Sequence, residues 1–212
     1  MKDFPFFTTE NGIASVTLKE IPYTKTAYIK ILDTLHPERL VEECVGFCKM
    51  AGAEEIFGSN HPILEQYPIH TQILQMSRLR EGLPETDAAL FPVTEQTLDS
   101  WREIYNDRMS DVPNFSYMSV SESKALLQRG NGYFVHRGEV LLGIGIASGE
   151  KIDVVISVQP GFGEDVLLAL NHVLSGDRAV LEVASTNGKA IRLYERMGFM
   201  KNCEVSRWFR LL

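Results

Sequence analysis

The sequence predicts an α+β fold: a mixed, mostly antiparallel sheet flanked by helices, with a smaller N-terminal α/β part. The first observation is a succession of apolar strands across Gly132–Val158, separated only by the short turns Arg137-Gly138-Glu139 and Ser148-Gly149-Glu150. Turns this short join antiparallel neighbours, so these strands form a meander. The second observation is a helix, a strand and a helix within Glu164–Met197, which adds a β-helix-β unit to the meander.

Composition sets the broad class of protein. The chain has 212 residues, of which 44% are hydrophobic, so it can form one large domain or two small ones. Its 28 acidic and 21 basic side chains give a net charge of −7, which argues against nucleic acid as a main partner. No apolar run reaches the roughly 18 residues of a membrane-spanning helix, and the first residues do not resemble a signal peptide. Three cysteines without a secretory signal predict a cytoplasmic protein.

Hydrophobic periodicity predicts the elements of the second half. On the helix expected after the meander, Val166, Ala169, Leu170 and Val173 recur at helical spacing. The predicted helices are Thr94–Met109, Ser121–Gln128 (with Ser121 as its N-cap), Glu164–Leu174 and Gly188–Met197. The predicted strands are Gly132–His136, Val140–Ala147, Lys151–Val158 and Ala179–Ala184, followed by two apolar segments around Asn202-Cys203-Glu204.

The first half carries a weaker pattern of alternating strands and helices. Strands are predicted over Ile13–Lys19, Ala27–Leu32, Glu54–Gly58 and Thr71–Leu79, and a helix over Pro37–Met50. The order helix, glycine, strand, Ser-Asn occurs in both halves, which indicates a degenerate internal repeat, although such units are common in α/β chains. The polar segment Arg80–Pro92 is the predicted linker, so we divide the chain into residues 1–90 and 91–212.

The most specific motif is the segment Asn187–Phe199, which reads NGKAIRLYERMGF. An Asn precedes a helix that bears Ala and Leu-Tyr-Glu, and Gly-Phe follows the helix. This segment resembles the signature of the GNAT superfamily of N-acetyltransferases, and the order of elements from about Phe91 to Leu212 fits one such domain. The resemblance implies transfer of an acetyl group from acetyl-CoA to a primary amine. Residues 1–90 are then interpreted as a degenerate GNAT-like half.

Tyr194 and Asn187 are the candidate site residues on this helix. A tyrosine hydroxyl has a pKa of roughly 10, comparable to that of an alkyl thiol, so it can protonate a leaving thiolate. The matching tyrosine of the family is the proposed general acid; the alternative is a core tyrosine on an apolar face. Asn187 caps the helix, contacts the pantetheine arm of acetyl-CoA as in relatives, or does both.

The turn before the helix at Glu164 is the candidate diphosphate site. A helix N-terminus offers unpaired N–H groups and partial positive charge, and glycine allows close approach. The turn resembles the family's Gln/Arg-x-x-Gly-x-Gly/Ala sequence, which implies cofactor contacts from Val158, Gln159, Gly161, Phe162, Gly163 and Glu164. This turn has no Arg or Lys, however, and Glu164 and Asp165 would repel a nearby phosphate.

Asp153 and Glu182 are the candidate general bases because each interrupts an apolar strand. A carboxylate in such a strand lies either on a solvated sheet face or in a site, and many relatives use a water relay instead. Cys44 and Cys48 share a helix face without a nearby His or third Cys, so we expect them in the core and expect no metal.

The mechanism we expect is direct attack of an amine, on a small molecule or a peptide, on the thioester. Backbone N–H groups near Ser157–Val158 would stabilise the oxyanion, and Tyr194 would protonate the thiolate. Two alternatives stay open: a non-catalytic CoA-binding or regulatory module, and a scaffold that dimerises through its sheet. A homodimer is therefore one expected assembly, whereas nucleic acid and membranes are not expected partners.

Overall fold

The computed structural model describes residues 6–212. The strands in this range are β1 (Phe6–Thr9), β2 (Gly12–Thr17), β3 (Thr26–Thr34), β4 (Glu55–Ser59), β5 (Ile69–Leu79), β6 (Ala89–Pro92), β7 (Gly132–Arg137), β8 (Val140–Ser148), β9 (Lys151–Ser157), β10 (Arg178–Ala184) and β11 (Met200–Arg210). The helices are α1 (Ile21–Thr24), α2 (Pro37–Met50), α3 (Leu98–Met109), α4 (Val120–Arg129), α5 (Gly163–Asn171) and α6 (Gly188–Arg196), and Pro62–Gln66 forms a 3-10 helix.

The chain divides into two compact units. The first contains the residues up to Ile73 together with Glu204–Leu212, and the second contains Leu74–Cys203. The boundaries therefore fall inside β5 and β11 rather than in the polar segment that we predicted as a linker. The last residues of that segment form β6, which pairs antiparallel with β7. A strand of four residues is too short to show a periodicity in the sequence.

The second unit contains a mixed sheet in the order β11, β5, β10, β9, β8, β7, β6. Strands β6 to β9 pair antiparallel, and β9 pairs parallel with β10. A parallel pair needs a crossover, and α5 provides it. The predicted α+β class, with a mostly antiparallel sheet flanked by helices, is confirmed.

Helices cover both faces of this sheet. Successive side chains of β8 point to opposite faces, so β8 contacts the helices on both sides. Ile144 and Ile146 pack with Trp101 of α3 and Leu126 of α4 in one apolar cluster. Gly143 and Gly145 face α5 instead, where a Cβ atom would overlap side chains of that helix, Val166 and Leu170 respectively. Helix α5 therefore packs directly on the backbone of β8, which fixes the position of its N-terminus.

The first unit contains the strands β1 to β4 and parts of β11 and β5, in the order β1, β2, β3, β4, β11, β5. Strand β4 is parallel to β3, and α2 connects the two. Helix α2 buries Leu40, Val41, Cys44 and Cys48 in an apolar cluster with the strands. The expected core position of both cysteines is confirmed, and burial raises the pKa of the Cys44 thiol to about 12 and that of Cys48 to about 11.

The two units share an order of strand pairing. In each, antiparallel strands lead to a helix and then to a strand parallel to the last of them: β3, α2, β4 in the first unit and β9, α5, β10 in the second. The internal repeat that the sequence suggests stays a prediction. The units differ in one respect: β3 and β4 pair over five residues, whereas β9 and β10 pair over two.

Several predicted boundaries need correction. The α2 prediction is confirmed to the residue, but α3 begins at Leu98 because Thr94–Thr97 forms a turn closed by a hydrogen bond from Thr97 N to Thr94 O. The N-cap of α4 is Ser119 rather than Ser121, and it forms a complete capping box with Glu122. The chain after Phe199 forms one long strand, β11, instead of two short segments.

Candidate active site

A cleft opens in the second unit where two parallel strands part. Strands β9 and β10 pair only at Lys151 with Val180 and at Ile152 with Leu181. Beyond these pairs β9 continues to Ser157 and β10 to Ala184. One edge of the β9 backbone is thus left without a strand partner.

A β-bulge sets the position of Asp153 at the start of this cleft. Opposite β8, Ile152 pairs with Ala147 and Val154 pairs with Ile146, so Asp153 is the extra residue. A bulge bends its strand and re-aims a side chain. The bend therefore lies where β9 separates from β10, and Asp153 lines the cleft.

The cleft has a volume of about 460 Å³. One wall is the parted edge of β9, and the opposite wall is the end of β10 together with α6. Arg108 and Met109 at the end of α3, Val112 after it, and Gly163 at the start of α5 complete the lining. The lining is therefore mixed in character, with apolar strand residues between charged side chains.

Tyr194 is the buried polar residue of this lining. Its side chain leaves 7% of the residue exposed, and its ring packs against Phe199 with centroids 5.9 Å apart. The hydroxyl donates no hydrogen bond to residues 6–212. Burial raises the pKa of Tyr194 to about 12. The site thus holds a protonated hydroxyl whose hydrogen-bonding capacity is open to a ligand.

Asn187 begins α6 and serves as its N-cap. Its side-chain oxygen accepts a hydrogen bond of 3.2 Å from the Ala190 backbone N–H. Because the oxygen makes this bond, the amide nitrogen is the atom left to contact a ligand, and Asn187 lines the cleft. The capping role is thus present, and it is compatible with the cofactor role.

The turn before α5 presents backbone rather than basic side chains. Gly161 has a φ of 99°, which favours glycine, and no heavy atom lies within 4 Å of the position of a Cβ there. A Cβ on Gly163 would lie 3.0 Å from Leu193 Cδ2, so this glycine allows α5 to approach α6. The N-cap residue Phe162 gives no side-chain cap, which leaves the first N–H groups of α5 open.

Hydrogen bonding along β9 corrects the expected oxyanion donors. The Val158 N–H donates to Leu142 O at 2.9 Å, so it belongs to the sheet. N–H groups alternate in direction along an antiparallel strand, so those of Ser157 and Val155 face away from β8. Both residues line the cleft. Val155 and Ser157 are therefore the strand residues with N–H groups available to a carbonyl oxygen.

The two acids in the first turn of α5 differ in environment. Asp165 accepts a 2.6 Å hydrogen bond from Arg137, which also pairs with Asp87 at 2.6 Å. The charge of Asp165 is thus compensated. Glu164 is exposed in the first turn of α5, and it forms no ion pair with residues 6–212.

Asp153 and Glu182 come together through Lys151, which the sequence analysis did not single out. The Lys151 ammonium lies 3.2 Å from Asp153 Oδ1 and 3.2 Å from Glu182 Oε1. Burial lowers the pKa of Lys151, but its hydrogen bonds to Glu182 and Asp153 and their charges outweigh this effect, so the pKa is raised. Lys151 stands two residues before Asp153 on the same face of β9, a spacing that could have revealed this ion pair.

The structure brings together five of the residues predicted from sequence. Asp153, Glu182, Gly163, Asn187 and Tyr194 all line the cleft. The remaining predicted residues of the turn, and Glu164, lie beside the start of α5 but outside this lining. The cleft residues Arg108 and Lys189 were not predicted, because a single charged residue at an element boundary carries no pattern.

Two searches of residues 6–212 gave negative results. No group of three or more His, Cys, Asp or Glu side chains is placed to hold a metal ion. No helix among these residues is long and apolar enough to cross a membrane.

Comparison with known proteins supports the fold at low sequence identity. No family model matches the chain, and no curated protein matches it. A functionally unknown conserved protein from Staphylococcus epidermidis is similar in structure, with a TM-score of 0.60 and 12% identity over 98% of this chain and 93% of that one. A GCN5-related N-acetyltransferase from Kribbella flavida has a TM-score of 0.54 and 12% identity over 97% of this chain and 88% of its own.

A third similar structure has two such domains in one chain. The tandem GNAT protein from the clavulanic acid biosynthesis pathway matches with a TM-score of 0.53 and 11% identity over 94% of this chain and 78% of its own. Identities of this size show the fold alone. The fold of this chain is thus GNAT-like, as its motif suggested.

Proposed function

We propose that the second unit is an acetyl-CoA-dependent N-acetyltransferase that acts on a primary amine by direct transfer. The observation that carries this proposal is the cleft between the parted strands β9 and β10, with the unpartnered Tyr194 hydroxyl in its wall. The GNAT-like fold and the motif around Tyr194 support it. An acyltransferase has to admit an extended thioester and hold an acid beside the sulfur, and this cleft offers both features.

The residues present fit acetyl-CoA in two respects. The unpaired edge of β9 offers backbone groups to the amides of an extended pantetheine arm, and Asn187, whose amide nitrogen is not used in capping, lines the same cleft. The uncapped start of α5 offers N–H groups to a diphosphate. Lys189, which lines the cleft at the start of α6, supplies a positive charge that the turn itself lacks. Acetyl-CoA brings the acetyl group as a thioester.

The chain's own groups then have three tasks. The N–H groups of Val155 and Ser157 stabilise the oxygen of the attacked carbonyl as its negative charge develops. The amine nitrogen forms the new C–N bond, and the C–S bond breaks. Tyr194 donates its proton to the leaving sulfur, and the nitrogen releases its excess proton to water, from which Tyr194 is reprotonated.

A specific observation favours one alternative, a CoA-binding module without catalysis. The Lys151 ammonium lies 3.2 Å from one oxygen of each candidate base, so both carboxylates are engaged in an ion pair. Deprotonation of the amine therefore depends on water in our mechanism. If the amine cannot lose its proton in the cleft, the site still binds the cofactor but turns nothing over.

Titration calorimetry followed by a turnover assay tests the proposal. We expect heat on addition of acetyl-CoA and thiol release on addition of a panel of primary amines. Binding without thiol release for any amine would favour the non-catalytic module. No binding of acetyl-CoA at millimolar concentration would refute both and leave the dimerising scaffold.

A further inference from the structure

The two carboxylates of the cleft, Asp153 and Glu182, share a single cation. Lys151 contacts Asp153 Oδ1 and Glu182 Oε1, and it is not among the residues that line the cleft. No other residue between 6 and 212 forms an ion pair or a side-chain hydrogen bond with either carboxylate. A carboxylate can accept more than one hydrogen bond. Asp153 and Glu182, which both line the cleft, can therefore accept further hydrogen bonds from a ligand.

The geometry of these acids suits an alkylammonium group. The Lys151 ammonium is itself a primary alkylammonium, and it sits 3.2 Å from both carboxylates at once. The two acids therefore lie close enough together to share one alkylammonium group. Lys151 cancels one of the two negative charges, so the group carries a net charge of −1 that a ligand cation can neutralise.

The two carboxylates and the candidate general acid lie at different depths in the cleft. The side chains of Asp153 and Glu182 are 40% and 36% exposed, whereas Tyr194 is 7% exposed. An amine that attacks a carbonyl must be neutral, so the nitrogen that reacts beside Tyr194 cannot be the one held as an ammonium at the acids. Two nitrogens on one elongated molecule satisfy both demands.

We propose that the preferred acceptors are alkyl diamines and polyamines. The distal ammonium binds Asp153 and Glu182 at the lip of the cleft, while the other amine, in its neutral form, reaches the acyl group beside Tyr194. Lys151 acts as a positioning residue that holds the two carboxylates adjacent. This inference rests on the proposed acetyl transfer for its chemistry, although the ammonium site itself is independent of turnover.

Three amines of similar length test the inference with the full chain. 1,4-Diaminobutane carries a distal positive charge, butylamine carries none, and 4-aminobutanoate carries a negative one. We expect kcat/KM, measured from thiol release, to be about tenfold higher for the diamine than for butylamine. A tenfold ratio corresponds to one charge contact of roughly 1.4 kcal/mol. The value for 4-aminobutanoate should be the lowest of the three. Asp153→Asn and Glu182→Gln should each bring the ratio of kcat/KM for the diamine to that for butylamine close to one.

A control and a binding measurement separate this inference from the proposed function. Glu139→Gln removes an exposed acid from the β7–β8 turn, outside the cleft lining, and should leave the ranking as it is. Equal kcat/KM for the three amines would overturn the inference while acetyl transfer stands. If no amine turns over, calorimetry with 1,4-diaminobutane decides: binding that Glu182→Gln weakens supports the ammonium site, and no binding at millimolar concentration refutes it.

Discussion

Tyr194 is the residue whose chemistry most directly tests the mechanism. Its hydroxyl has no partner among residues 6–212, so Tyr194→Phe removes only the proton donor and keeps the ring against Phe199. We expect kcat to fall by roughly 100-fold, the range for loss of a general acid. Acetyl-CoA affinity by calorimetry should hardly change, because the hydroxyl acts as charge develops on sulfur. Normal turnover would make Tyr194 a packing residue.

The pH profile gives a second test at the same residue. A general acid must be protonated to act, and burial raises the pKa of Tyr194 from about 10 to about 12. The shift is upward, so loss of activity through Tyr194 ionisation moves to higher pH. Between pH 7 and ~10, we therefore expect kcat of the unaltered protein to show no fall that is missing from the Tyr194→Phe variant. A fall near pH ~9 that disappears in the variant would contradict the raised pKa.

Glu164 reports on the position of the diphosphate. It is an exposed, uncompensated carboxylate at the N-terminus of α5, whereas Asp165 is paired with Arg137. Glu164→Lys should therefore tighten acetyl-CoA binding by up to ~1 kcal/mol in calorimetry. Asp177→Lys makes the same change of charge beyond the C-terminal end of α5, and it should have little effect. Equal effects of the two variants would mean general attraction rather than a site at this helix.

At the scale of the element, α6 combines capping and binding at one residue. Asn187 caps α6 through its oxygen, so Asn187→Ala should lower the free energy of unfolding by about 1 kcal/mol. Asn187→Ser retains a capping oxygen but loses the amide nitrogen. If the nitrogen contacts the cofactor, both variants weaken acetyl-CoA binding while only alanine destabilises the protein in urea denaturation. If acetyl-CoA binding is weaker in Asn187→Ala but normal in Asn187→Ser, Asn187 acts only as a helix cap.

Elements with a long apolar periodicity were predicted well from the sequence. Elements that form only because a neighbouring strand pairs with them were predicted poorly. Helix α2 has 14 residues and a complete apolar face, and its bounds were predicted to the residue. Strand β6 has four residues, and it forms because β7 offers a partner, which no local pattern reveals. The cap of α4 was misplaced because Ser119 and Ser121 are both good caps, and only the reciprocal bond of Glu122 selects Ser119.

The motif of the candidate site could be recognised in the sequence, whereas the ion pairs of the site could not be predicted. Asn187 and Tyr194 were predicted because the segment Asn187–Phe199 resembles the GNAT signature. Lys151 was missed because its partner Glu182 lies on another strand, and that proximity depends on the parallel register of β9 and β10. Charges that meet across a sheet are set by pairing, which a single sequence does not specify.

At the scale of the whole molecule, the two units differ in whether their parallel strands separate. In the first unit β3 and β4 pair over five residues, so no gap for an extended ligand exists between them. We therefore expect acetyl-CoA to slow amide hydrogen exchange around the cleft of the second unit, near residues 153–163 and 182–194, and to leave β3 and β4 unchanged. Protection confined to β3 and β4 would move the site to the first unit.

An unpaired strand edge is also an aggregation hazard, since its N–H and C=O groups can recruit a strand of another molecule. Beyond Ile152, β9 has such an edge, yet the edge is recessed: α6 lines one side of the opening and the end of α3 another. A slender chain can enter, whereas a full strand with side chains on both faces meets these helices. The same walls that select a narrow ligand thus protect the protein from edge-to-edge association while the cleft is empty.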